Sequence, residues 1–199
     1  MSSEARHHRF LDVKILEAKA EEARRELKVF LAGPYIDVKK PATAKENSSS
    51  NASASRFALY KTLSDQGVLV ILGEHERLKE FGEVTFKDNN NAVLFERKMI
   101  LNKDIDAVII FPSSPGSFLE FGDWANDKNI TRKLLVIIDA QYEKDINYLN
   151  LGPVPMARTV GAKVEYVDYE DHSKINEIVV KFMENIVSLQ NIESSYGRR

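Results

Sequence analysis

The sequence predicts an α/β fold: a doubly wound, flavodoxin- or Rossmann-like sheet of five parallel strands, with an extra helix at the N-terminus. Three observations lead there. Five short apolar runs recur along the chain, and most lack polar alternation, so both of their faces need cover. Segments with apolar residues at helical spacing separate them. Parallel strands joined by right-handed helical crossovers satisfy both patterns in one sheet.

Residues 10–27 place Phe10, Val13, Leu16, Ala20, Ala23 and Leu27 at steps of three and four, with Lys, Glu and Arg between them. That spacing makes residues 1–27 an N-terminal amphipathic helix ahead of the α/β domain, residues 28–190. The first strand, from Lys28, stops at Gly33-Pro34. Residues 37–55 are polar and end in a Ser/Asn-rich stretch, which predicts a mobile loop. Helical spacing resumes at Phe57 and runs to Leu63. Val68–Leu72 is expected as a second buried strand, closed by Gly73. A short helix over Glu74–Phe81 and an exposed loop over 82–91 follow, then a helix over Ala92–Leu101.

Asp106–Phe111 is the third strand, apolar beyond its first residue. Pro112–Gly116 forms a stiff loop, and a helix is expected from Ser117 to about Lys128. Leu134–Ile138 is the fourth strand. Ala162–Val167 alternates with polar residues, as an edge strand does. Ile175, Ile178, Val179, Phe182 and Ile186 stripe a final helix, and residues 191–199 are expected to be a tail.

Composition narrows the function classes. The chain has 28 basic and 30 acidic side chains, a formal net charge of −2, and no cysteine. Disulfides and cysteine-ligated metal centres are excluded. Whole-surface attraction to nucleic acid or to an anionic membrane is not indicated. No apolar run approaches the ~20 residues of a membrane-spanning helix. The N-terminus lacks an apolar signal core, so a soluble cytoplasmic protein is expected.

Ligands of such sheets bind beyond the carboxyl ends of the strands. The stretch Phe111–Ala125 is the most informative of these ends. Two prolines stiffen the loop containing Ser113 and Ser114. Gly116 permits close backbone approach, and Ser117 can cap the helix and offer its first N–H groups to a phosphate or a sugar hydroxyl. Glu120 has two readings. It can close a capping box with Ser117, or stand at the pocket mouth and stabilise or attack the cation formed when a sugar–base bond breaks.

Gly33 and Pro34 shape the first strand's end, and Tyr35 can stack on a base or bond a sugar. Glu74, beside His75, can hold a ribose, and Asp139 can reach the pocket from the fourth strand. Each also has an ordinary structural explanation. Asp106 begins its strand and is read as structural; Trp124 is expected to pack the helix or an interface. His7-His8 has no partner at metal spacing. No Gly-x-Gly-x-x-Gly or Walker lysine is present, and the serines lack triad partners, so no metal or separate cofactor is expected.

The segments Val29–Tyr35, Ile105–Ile110 and Gly116–Gly122 resemble the nucleoside 2-deoxyribosyltransferase family. The run Pro112–Gly122, with Lys133 before a strand ending at Asp139 and a later Gly152-Pro153, is similar to the deoxyribosyltransferase-like effectors of bacterial retron defence systems. The resemblance covers about residues 28–155. It implies that Glu120 is the nucleophile of an N-glycosidase or deoxyribosyltransferase-like enzyme acting on a nucleoside or nucleotide such as NAD, used to halt an infected cell. It further implies a homo-oligomer, to which the N-terminal helix or the helix around Trp124 would contribute. The alternative is a non-catalytic nucleotide sensor of the same fold, because similar sheets host both roles.

Overall fold

The computed structural model describes residues 18–74 and 92–196. The expectations for residues 1–17, for His75 and for the Glu74–Phe81 helix and 82–91 loop fall, apart from Glu74, outside these residues. The chain runs through helix α1 (residues 18–25), strand β1 (Lys28–Ala32), helices α2 (Lys45–Ser48) and α3 (Asn51–Asp65), strand β2 (Leu69–Leu72) and helix α4 (Ala92–Ile100). Then come β3 (Ala107–Ile110), α5 (Pro115–Trp124), α6 (Lys128–Thr131), β4 (Leu134–Asp139), α7 (Tyr148–Leu151), α8 (Pro153–Val160), β5 (Lys163–Val167) and α9 (His172–Ser195).

The five strands form one parallel sheet in the order β2-β1-β3-β4-β5, consistent with the doubly wound fold expected. Side-chain alternation divides its core in two. Val29, Leu31, Ile109 and Ile137 face α3 and α9, meeting Leu59, Leu63, Val179 and Phe182. Phe30, Ala32, Val108, Ile110 and Val136 face the opposite layer, meeting Phe121, Trp124 and Ala157. β3 is buried throughout, whereas β2 is an edge strand with Leu69 exposed rather than the buried strand expected. Chain order reverses between β1 and β3: the chain steps outward to β2, then returns across β1. Sheets of this order bind ligands at that switch point.

Other boundaries differ from expectation. The Ser/Asn-rich stretch is not a mobile loop. Ser50 caps α3, which therefore starts at Asn51, six residues before Phe57. Asn47 is fully buried: its side chain accepts the Asp37 N–H at 2.8 Å and donates to the carbonyls of Asp37, Lys40 and Pro41. Asn47 is thus polar because it bonds backbone, not because it is solvated. The helix expected over Ser117–Lys128 is two helices, separated where Asp127 caps α6. α9 continues to Ser195, into the expected tail, and Arg24 of α1 bonds Glu184 on it. Trp124 is buried, edge-on to Phe30 with ring centroids 6.3 Å apart, so it is a core residue rather than an interface residue. Asp106 accepts the Lys28 N–H at 2.8 Å at the sheet's amino edge, which bears out its structural reading. Among the described residues no helix is long and apolar enough to cross a membrane.

Asn47→Ala should lower stability by about 1–3 kcal/mol, because it strands buried backbone groups. For a chain of this size each kcal/mol corresponds to a Tm lower by about 2–4 °C. Thermal unfolding followed by circular dichroism checks this; an unchanged Tm would mean that Asn47 does not anchor the segment.

Candidate functional site

α5 begins earlier than its Ser-x-x-Glu spacing suggests. Ser114 is the cap, Pro115 the first helical residue, and Ser114 and Ser117 close a reciprocal capping box. The buried Ser117 hydroxyl accepts the N–H groups of Ser113 and Ser114 at 3.0 and 2.9 Å, and the Ser117 N–H bonds Ser114 Oγ at 3.3 Å. The N–H groups of Ser113, Ser114 and Ser117 are thus bonded within the loop. Gly116 is exposed, with open space where a side chain would be. Glu120 takes no part in capping and is free for another task.

That task lies in a cavity of about 270 Å³ at the carboxyl end of β1. Phe30, Ala32, Gly33 and Tyr35 line it from β1 and the turn after it, Gly73 and Glu74 from beyond β2, Arg56 from α3, Glu96 from α4 and Glu120 from α5. Gly33 has φ +145°, and a Cβ there would press on Arg56 Cδ and Phe111 Cβ at 3.1 Å, so only glycine suits the turn. Tyr35 is half out of the protein at the rim.

Arg56 is almost wholly buried. It donates to the carbonyls of Leu31 and Pro34, each at 2.6 Å, and more weakly to Gly33 at 3.4 Å. It also holds both oxygens of Glu74, the second at 2.9 Å. A bidentate pair of this kind is geometrically specific as well as strong. Only its Nε lacks a partner.

Glu96 and Glu120 remain, and among the described residues neither forms an ion pair with a cation. Burial, reinforced by the charge of Glu120, pushes the Glu96 carboxyl up to about 8. Burial also raises Glu120, opposed by its hydrogen bond with Glu96 and by the charge of Arg56. Two buried acids in contact share one proton and titrate as a pair. Burial thus leaves the pair holding a proton above the ordinary carboxyl range. The other oxygen of Glu120, Oε2, is buried with no partner. Arg97, the neighbour of Glu96, bonds Asp123 and Asp127 at 2.7 and 2.5 Å, fastening α4 to the far end of α5.

Of the sequence candidates, Gly33, Tyr35, Glu74 and Glu120 line this cavity. Pro34 contributes its carbonyl to Arg56. Ser113, Ser114, Gly116 and Ser117 build the start of α5 instead. Asp139 caps the turn after β4, accepting the Gln141 N–H at 3.1 Å and its amide at 2.9 Å, and is not among the residues lining this cavity. Gly73, expected to close the second strand, lines it too, whereas Arg56 and Glu96 were not anticipated. The one available signal was a basic residue set among Ala, Phe and Leu positions that otherwise pack inward. Among the described residues, no three His, Asp or Glu side chains are gathered as a metal site.

Because the acid pair binds a proton more tightly when folded, proton binding favours the folded state. The stabilisation is complete below the ordinary carboxyl value of 4.5 and is lost as the pH rises toward about 8. The Tm should therefore fall as pH is raised from about 5 to about 8.5, and Glu96→Gln should flatten that fall. Parallel pH profiles of Tm for the two proteins check it; superimposable slopes would contradict the shared proton.

A stretch of 70 residues, 35% of the chain, is 40% identical to a retron Ec86 protein of Escherichia coli provisionally named a ribosyltransferase/DNA-binding protein; the match spans 23% of that protein's length. Residues 52–197, which hold Arg56, Glu74, Glu96 and Glu120, match the family described as STM3845 retron effector protein. With most of its length matched, the chain belongs to the STM3845 retron effector family.

Proposed function

We propose that the chain cleaves the sugar–base bond of a nucleoside or nucleotide, with Glu120 as the nucleophile or the stabiliser of an oxocarbenium-like transition state. The observation that carries this reading is the unpartnered, buried Oε2 of Glu120 inside a cavity at the switch point of the sheet. A carboxylate there can form a covalent sugar ester or balance the developing cation, as in glycoside hydrolysis. Water or a second base takes the sugar. Tyr35 at the rim offers a ring for the base to stack on. The ribosyltransferase part of the Ec86 relative's name supports glycosyl transfer chemistry, and membership of a retron effector family supports a role in antiviral defence.

The relative's name also includes DNA binding. With a net charge of −2, any nucleic-acid contact of this chain would rest on a local patch rather than on the whole surface.

Assembly into a homo-oligomer is part of the same proposal, although not through Trp124. The exposed face of α5, with Phe118 and Leu119, continues into Tyr142, Tyr148 and Met156. Apolar surface of this extent commonly marks an interaction site. Light scattering at tens of micromolar should show a multiple of the 22.6 kDa chain, reduced by Leu119→Glu; a monomeric wild type would overturn the oligomer.

For the chemistry, the full-length protein is incubated with a panel of nucleosides, nucleotides and NAD, and free base is followed by chromatography. Glu120→Gln keeps the shape and removes the charge, and should slow base release by about 10²–10³ or more. Unchanged turnover in Glu120→Gln would refute the assignment. Binding without turnover would favour the sensor.

A further inference from the structure

An open sheet has two edges, and this chain treats them differently. β5 carries Lys163 and Glu165, paired at 3.6 Å, and Arg158 donates to its Val164 carbonyl at 3.2 Å. Charges and side-chain bonds of this kind keep an edge from pairing with another strand. β2, at the opposite edge, is Leu69-Val70-Ile71-Leu72, with no charge and no proline. Its ladder runs to β1 on one side, and among the described residues no hydrogen bond reaches the other. Leu69 is 54% exposed, and Val70 and Ile71 are partly exposed. A row of unpaired N–H and C=O groups beside aliphatic side chains is a template for one more strand.

We propose that the free edge of β2 pairs with β2 of a second copy, antiparallel across a two-fold axis, so that the two sheets become continuous. This contact is separate from the exposed face of α5 and does not rest on the glycosidic reading.

Two-fold pairing demands a self-complementary surface, because each copy meets the same strand running the other way. β2 meets that demand. Side chains directly opposite in an antiparallel pair lie on the same face of the sheet. Ile71 lies on the α4 face, which alternation gives to Leu69 also, whereas Val70 and Leu72 lie on the α3 face. Aliphatic groups therefore meet aliphatic groups on both faces, and no like charges stand opposite each other. An extended segment of a different protein would find backbone to bond there, but only a short uniform run of side chains to select it. With a second contact at α5, the chain assembles beyond a pair.

The chain has no cysteine, so a single introduced one can join only its counterpart in another copy. Leu69→Cys, Val70→Cys and Ile71→Cys are made singly in full-length Leu119→Glu, which disrupts the α5 contact, with Glu165→Cys on β5 as the control. Opposed residues of an antiparallel pair stand about 4.5–5.5 Å apart at Cβ, close enough for a disulfide with slight adjustment. The residue on the two-fold axis should cross-link on mild oxidation, and the control should not. By light scattering at tens of micromolar, Leu119→Glu should keep about twice the single-chain mass, and adding Leu69→Lys should bring it down to one chain with the circular dichroism unchanged. In the unaltered chain, amide exchange over β2 should slow by about 10-fold between dilute and concentrated samples, while β5 stays the same. A single-chain mass for Leu119→Glu, or no cross-link at any of the three positions, would overturn self-pairing. So would slow β2 exchange at every concentration, which means an edge covered by the chain itself. Fast exchange at every concentration would overturn it too, and would leave the edge to another protein's strand.

Discussion

The positive charge of Arg56 lies almost wholly out of water, where an uncompensated ion is strongly disfavoured, and its surroundings answer that cost. The carbonyls of Leu31 and Pro34 turn toward it, and Glu74 meets it with both oxygens. These partners come from the ends of two adjacent strands, while Arg56 belongs to a helix in the layer behind the sheet. One guanidinium thus joins β1, the turn after β2 and α3 at the carboxyl edge. It also settles the electrostatics of the cavity. With Arg56 bound to Glu74, Glu96 and Glu120 face the same cavity with no ion-pair partner of their own among the described residues. Burial raises the proton affinity of both, and the charge of Glu74 adds to it.

The topology explains why these groups meet at all. In a sheet ordered β2-β1-β3-β4-β5, β1 has a neighbour reached by a later return of the chain on one side and by the next crossover on the other. Helices of both layers start or end around that strand. α3 arrives from one layer, and α4 and α5 from the other. Residues forty and more positions apart can therefore share one small volume without any of their own elements being irregular.

Much of this was legible in advance, for reasons that can be named. β1, β3 and β4 are apolar without interruption because they are covered on both faces, and such runs read plainly. Glu120 was legible through the short motif around it. The start of its helix was misjudged, because Ser117 and Ser114 are equally good caps by residue type and only Pro115 at the first helical position distinguishes them. The Ser/Asn-rich stretch misled for a related reason. Composition cannot tell a solvated polar residue from one such as Asn47 that bonds buried backbone. Arg56 and Glu96 were invisible because their meaning lies in each other and in Glu74, across gaps in sequence that only the fold closes.

The self-sufficient start of α5 has a thermodynamic consequence. Ser114 and Ser117 satisfy each other whether or not a ligand is present, so the helix bearing Glu120 does not wait for an anion to order it. Little conformational entropy is then surrendered at that helix when a substrate enters. Occupancy should register as a local heat of contact rather than as a stiffening of the loop.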